Sequence, residues 1–126
     1  GSGDCVAEAI RRMGFEPELL DENDLDNADF SRFDTVVVGI RASQVRPDFV
    51  ANHQRLLDYV NAGGTLIVQY QLPGYQNLLP FPAQMGARVT DENAKVTILD
   101  PAHPVFNFPN KITEADFAGW VQERNL

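Results

Sequence analysis

The chain has 126 residues, 44% of them apolar, and a net charge of −8. That length and apolar fraction suit one domain with one core. The acid excess argues against nucleic acid and anionic membranes as partners, and no apolar run nears the ~20 residues needed to insert into a bilayer.

The charge is unevenly spread. Ten acids and three arginines fall in residues 1–34, whereas the remainder holds eight acids and seven bases. A solvated acidic face is the simplest reading of the first segment. Cys5 stands alone, which excludes an internal disulfide and any thiol cluster for structural zinc. The two histidines, His53 and His103, are far apart in sequence and form no His-Glu-x-x-His or similar metal signature. No metal or cofactor is expected.

In chain order, Val6, Ala9, Ile10 and Met13 recur at helical spacing, which predicts a helix over 4–13, capped by Asp4 and stopped by Gly14. Residues 15–20, FEPELL, read as a short strand. Residues 25–33 read as a short helix or turn with Leu25, Phe30 and Phe33 inward. DTVVVGI, residues 34–40, is a continuous apolar run, the pattern of a strand covered on both faces. Residues 46–64 predict a helix with Pro47 in its first turn and Gly63 and Gly64 at its end. Its inward stripe would be Phe49, Val50, His53, Leu56, Leu57 and Val60. TLIVQY, residues 65–70, is a second buried strand. Strand, helix and strand in this order make a right-handed crossover of a parallel sheet.

Beyond Leu72 the prolines Pro73, Pro80 and Pro82 predict a loop past the strand's carboxyl end, where open parallel sheets place ligands. Residues 87–99 predict one or two short strands, 100–112 an irregular segment with a turn at Asn110, and 113–126 a short helix capped by Thr113. Parallel sheets usually open with a strand, and here a helix comes first. The vacant position would leave unpaired edges, so homo-oligomerisation by strand exchange is expected.

The stretches FDTVVVGIRAS, LLDYVNAGGTLIVQYQ, ARVTDENAKVTILDPAHPVFNFPNKI and DFAGWVQERNL together resemble a region that follows the catalytic domain in large bacterial PIG-L/LmbE-type deacetylases. That region is similar to class I glutamine amidotransferase-like, ThuA-like domains. The resemblance covers Gly3 to Leu126 and implies a single three-layer, flavodoxin-like α/β domain with a mainly parallel sheet. It also implies a strand before Gly3 and another after Leu126, so both ends are expected to be trimmed from a larger protein. The zinc-dependent N-deacetylase chemistry of the parent resides in another domain, which would be the partner. The compartment is left open.

In glutamine amidotransferases a Gly-x-Cys-x-Gly turn follows the strand equivalent to TLIVQY, where a strained turn exposes a thiolate. This chain has Gln69, Tyr70 and Gln71 instead, and glutamine and tyrosine are not acyl-transfer nucleophiles at neutral pH. Cys5 has no histidine nearby in sequence, and a small apolar filler is its expected role. The candidate ligand residues are Arg41, Gln69, Tyr70, Arg88, Asp91, Glu92, His103, Trp120, Glu123 and Arg124. Planar donors with Trp120 and Tyr75 suit a sugar or carboxylate. A buried ion network among the same arginines and acids is the alternative reading, and a lone histidine such as His103 more often ties down a loop than serves as a ligand or base. The expected function is a non-catalytic accessory domain that packs on a deacetylase domain and binds carbohydrate. The alternatives are a small hydrolase or amidotransferase-like enzyme around His103 and Glu92, and a pure assembly module.

Overall fold

The computed structural model describes residues 3–84, 89–91 and 93–120. The chain divides into two compact units, Gly1–Gln84 and Met85–Leu126. The first is mixed α/β. Its helices are α1 (Val6–Arg12), α2 (Ala42–Val45), α3 (Pro47–Ala51) and α4 (His53–Asn61). Its strands, β1 (Thr35–Val38) and β2 (Thr65–Val68), pair in parallel with Thr35 opposite Thr65 and Val38 opposite Val68.

The crossover between these strands follows the sequence reading, with two differences. A short helix, α2, precedes the main one, and the main helix is broken at Asn52 (φ −98°, ψ 10°). The break has a local cause. Asn52 Nδ2 donates to the Asp48 carbonyl at 3.0 Å and to Asp26 Oδ1 at 2.6 Å, so its side chain competes with the helical ladder. The buried face runs through Phe49, Asn52, His53, Leu56 and Tyr59. Val50 and Val60, expected inside, are 39% and 40% exposed.

The core consists of Leu25, Phe30, Val38, Ala42, Phe49, Leu56 and Tyr59, with Leu56 only 1% exposed. The strands are not covered on both faces as their apolar runs suggest. Ile67 is 49% exposed and Val36 and Val37 are only half-buried. Residues 15–20 form no strand, and Phe15 and Leu19 are each 65% exposed.

Residues 20–28 take an irregular path that three side chains of the crossover hold. Arg46 Nη1 donates to the Leu20 carbonyl at 3.2 Å, Asn52 reaches Asp26, and Arg55 reaches the Leu25 and Ala28 carbonyls, the latter at 2.6 Å. Arg46 also forms a two-pronged pair with Asp48, at 2.8 and 2.6 Å, with both side chains largely covered. These hydrogen bonds hold the Asp48 carboxyl below its usual range and raise the Arg46 guanidinium.

The amino ends of the strands meet at Tyr59. Its hydroxyl donates to the Phe33 carbonyl at 3.0 Å and accepts the Thr65 N–H at 3.3 Å. The ring lies against Gly64, where a Cβ would overlap it. Gly64 is therefore required by close approach, whereas Gly63 supplies the positive φ (101°) that ends the helix.

In the second unit the one ladder residue described is an isolated bridge at Val89, where one or two strands were expected. Two 3₁₀ turns order the rest. Pro104–Phe106 is capped by His103, and Glu114–Phe117 carries a capping box between Thr113 and Asp116. Lys95 bridges Glu114 at 2.9 Å.

Gly64→Ala is expected to destabilise the protein by about 1–3 kcal/mol, because the fixed Tyr59 ring cannot yield without breaking its hydrogen bonds. Tyr59→Phe, which keeps the ring, is expected to cost roughly 1–2 kcal/mol. Urea unfolding curves of the two variants check both values.

Candidate functional site

The carboxyl edge of the sheet is where β1 and β2 release the chain into loops, and three of the expected residues lie there. Arg41 follows β1 in the left-handed region (φ 55°, ψ 23°), a conformation that costs a non-glycine residue about 1 kcal/mol or more. The turn lets β1 pass directly into α2. Its N–H donates to the Tyr70 carbonyl at 2.8 Å, so the residues leaving the two strands are joined through the backbone. The Arg41 side chain is exposed, and its Nε donates to Gln44 Oε1 at 2.9 Å. Tyr70 is 46% exposed.

Gln69 continues the ladder by donating its N–H to the Val38 carbonyl at 3.0 Å. Its side-chain Oε1 is buried without a hydrogen-bond partner among the described residues. A buried acceptor of this kind is uncommon in native proteins.

Gln71, which the sequence reading did not nominate, is the best-bonded side chain of the edge. It is 8% exposed. Its Nε2 donates to the carbonyls of Gly39 (2.9 Å) and Gln69 (3.0 Å), and its Oε1 accepts the Ser43 N–H (3.0 Å). One amide thus ties the carboxyl end of β1, the carboxyl end of β2 and the first turn of α2. The pattern needs two donors and an acceptor in one plane, which an amide supplies and an ionised carboxylate does not. A glutamine three residues past a strand carries no distinctive signal in sequence.

Beneath the edge, His53 is 4% exposed and stands in an aromatic cluster. Its Nε2 lies 3.2 Å from the Tyr75 hydroxyl, and its ring meets Phe49 and Tyr75 edge-on at 5.5 and 5.6 Å. Burial lowers the His53 pKa and raises that of Tyr75. Tyr75 is half-buried and packs against the crossover through Phe49 and His53.

Asp91, His103 and Trp120 belong to the second unit. Asp91 is exposed and accepts the Asn93 N–H at 3.0 Å. His103 is exposed, and its Nδ1 accepts the Val105 N–H at 3.2 Å. Trp120 is 58% exposed and packs edge-on against Phe117 at 5.8 Å. Arg88, Glu92, Glu123 and Arg124 lie outside the described residues. Within the first unit the structure brings together Arg41, Gln69 and Tyr70. Cys5, expected as buried filler, is exposed at the start of α1.

A cleft of about 730 Å³ opens at the opposite, amino end of the strands, lined by Phe30, Asp34, Arg55, Asp58 and Gly63 among others. It contains no residue of the expected site. Among the described residues no group of three His, Cys, Asp or Glu could hold a metal ion, and no helix is long and apolar enough to cross a membrane. Comparison with known protein families, curated proteins and solved structures finds no match to the chain.

Gln71→Ala would leave two carbonyls and an N–H without partners under the sheet edge, at an expected cost of about 2–3 kcal/mol, measured by urea unfolding. The His53 environment predicts a pH dependence. Its folded pKa lies below the unfolded value, so the unfolded chain takes up the proton first as pH falls. Its contribution is full above the ordinary imidazole range and is lost progressively below ~6.5. The fall in unfolding midpoint between about pH 7.5 and pH 5 should be smaller in His53→Phe than in the unsubstituted protein.

Proposed function

We propose that the chain is a non-catalytic accessory module of a PIG-L/LmbE-type deacetylase, packing on the catalytic domain and holding carbohydrate at the carboxyl edge of its sheet. In this reading the parallel β1–β2 crossover belongs to a three-layer, flavodoxin-like domain of class I glutamine amidotransferase style. The sequence resemblance from Gly3 to Leu126 supplies the parent and the fold.

The observation that carries the ligand half is Arg41. A non-glycine residue in the left-handed region at a sheet's carboxyl edge is the kind of local strain that persists where the side chain is needed. It projects an exposed guanidinium from the same turn that fixes the exposed Tyr70, and the preceding residue, Gln69, carries a buried Oε1 without a partner among the described residues. An aromatic face with planar donors and an acceptor suits the hydroxyls and amide of an amino sugar.

The non-catalytic half is supported by Gln71. In the amidotransferases the chain resembles, the turn after this strand carries the thiol. Here the turn is given over to an amide whose donors and acceptor are already engaged. A hydrolase centred on His103 has less support, because the Nδ1 of that ring already accepts a backbone N–H.

Calorimetric titration of the chain with N-acetylglucosamine and glucosamine disaccharides should give saturable heat that Tyr70→Ala abolishes. Arg41→Gly should lose the same heat while gaining a few tenths to about 1 kcal/mol of stability as the left-handed strain is relieved. Absence of heat at millimolar sugar with the unsubstituted chain would remove the carbohydrate reading.

A further inference from the structure

The stretches that leave β1 and β2 carry one charge between them. Residues 39–45 (GIRASQV) and 69–79 (QYQLPGYQNLL) contain Arg41 and no other charged residue. No acid lies within six residues of Arg41 on either side, and the chain has no charged residue between Asp58 and Arg88. Ten acids against three arginines in residues 1–34 account for seven of the eight net negative charges, so the acid surplus belongs to a different part of the sequence. Elsewhere in the first unit the arginines are engaged. Arg12 pairs with Glu8, Arg32 with Glu18 and Arg46 with Asp48, and Arg55 donates to the Leu25 and Ala28 carbonyls. Arg11 has no carboxylate partner among the described residues, but it stands within the acidic stretch. Arg41 has none and stands outside it. Its side chain makes one hydrogen bond among the described residues, from Nε to Gln44 Oε1 at 2.9 Å. That bond leaves Nη1 and Nη2 open on an exposed side chain. A guanidinium held at Nε and open at both terminal nitrogens presents the parallel pair of donors that a carboxylate accepts.

We propose, resting on the carbohydrate reading above, that the saccharide held at this edge is acidic: an N-acetylated amino sugar bearing a carboxylate, which the Nη1–Nη2 side of Arg41 takes while the sugar ring lies on Tyr70. The two contacts are adjacent, because the Arg41 N–H donates to the Tyr70 carbonyl at 2.8 Å and Tyr70 is 46% exposed. Gln44 is a positioning residue, whose amide oxygen sets the plane of the guanidinium. The ligand supplies the counter-charge that Glu8, Glu18 and Asp48 supply to the other arginines. A sugar hydroxyl takes a single donor of the fork, whereas a carboxylate takes both and carries the opposite charge, so the edge discriminates by the acid group.

The probes are N-acetylmuramic acid, its methyl ester and N-acetylglucosamine, titrated into the full chain by calorimetry at low salt, with lactate as the acid without a ring. The sugar acid is expected to bind about five- to tenfold more tightly than the ester or N-acetylglucosamine. Most of that advantage should vanish in about 0.5 M sodium chloride, because the pair is exposed to screening. Lactate alone should give no saturable heat at the same concentrations. The Arg41 Nε–H signal in an NMR spectrum, identified by its loss in Arg41→Lys, should move as the sugar acid is added. Equal affinity for the acid and its ester would overturn the acidic specificity and leave the carbohydrate reading standing. A preference for the acid without movement of the Arg41 signal would overturn it too, since the carboxylate would then be held elsewhere. Lactate binding as tightly as the sugar acid would replace it with an anion site that makes no use of the ring. Binding of none of the three sugars would remove the carbohydrate reading and the acidic ligand with it.

Discussion

A parallel pair of four-residue strands has too few backbone hydrogen bonds to hold its own register, and the first unit meets this constraint with a side chain at each end. At the amino end the Tyr59 hydroxyl bridges the Phe33 carbonyl and the Thr65 N–H, one from each strand's approach. At the carboxyl end the Gln71 amide joins Gly39, Gln69 and Ser43. Both groups are buried and committed, so their hydrogen bonds are made where water cannot compete. The helix between the strands has its depth set by the same device, because Tyr59 is its last buried residue and rests on Gly64.

The parts of this fold that could be read in sequence are those written in apolar periodicity. β1, the pair α3 and α4, and β2 declare themselves through TVVV, the stripe from Phe49 to Leu56, and TLIV, and their order fixes the parallel sense. What could not be read depends on single polar contacts. The break at Asn52 follows from its side chain reaching Asp48 and Asp26, and the latter lies 26 positions away. Tyr59 is buried where Val60 was expected. The expected strand at 15–20 has the right apolar content but no neighbour to bond with, and without a ladder such a segment has no reason to become regular.

The candidate site was legible only in part, for a related reason. Arg41 and Tyr70 could be placed at the carboxyl edge because they sit just beyond apolar strands. Nothing in the letters shows that Arg41 adopts a left-handed conformation, since arginine has no preference for it. Tyr75 was nominated as a displayed aromatic. The structure turns it inward onto His53 and Phe49, with stacking on Phe49 at 6.1 Å. Loops rich in proline give no period from which inward and outward faces can be told apart.

The acidic segment from residue 20 to 28 has an origin different from what its charge suggests. Arg46 and Arg55 grip it through the carbonyls of Leu20, Leu25 and Ala28, Asp26 is held through Asn52, and the Asp24 carboxylate accepts the Asp21 N–H at 2.6 Å within the stretch. The route of this stretch is thus written largely in the crossover helices, with Asp24 and Asp26 as its own contribution. Two of its four acids, Asp21 and Glu22, make no side-chain hydrogen bond to this stretch, so the electrostatic character of this flank can be retuned at those positions while the architecture stays as it is.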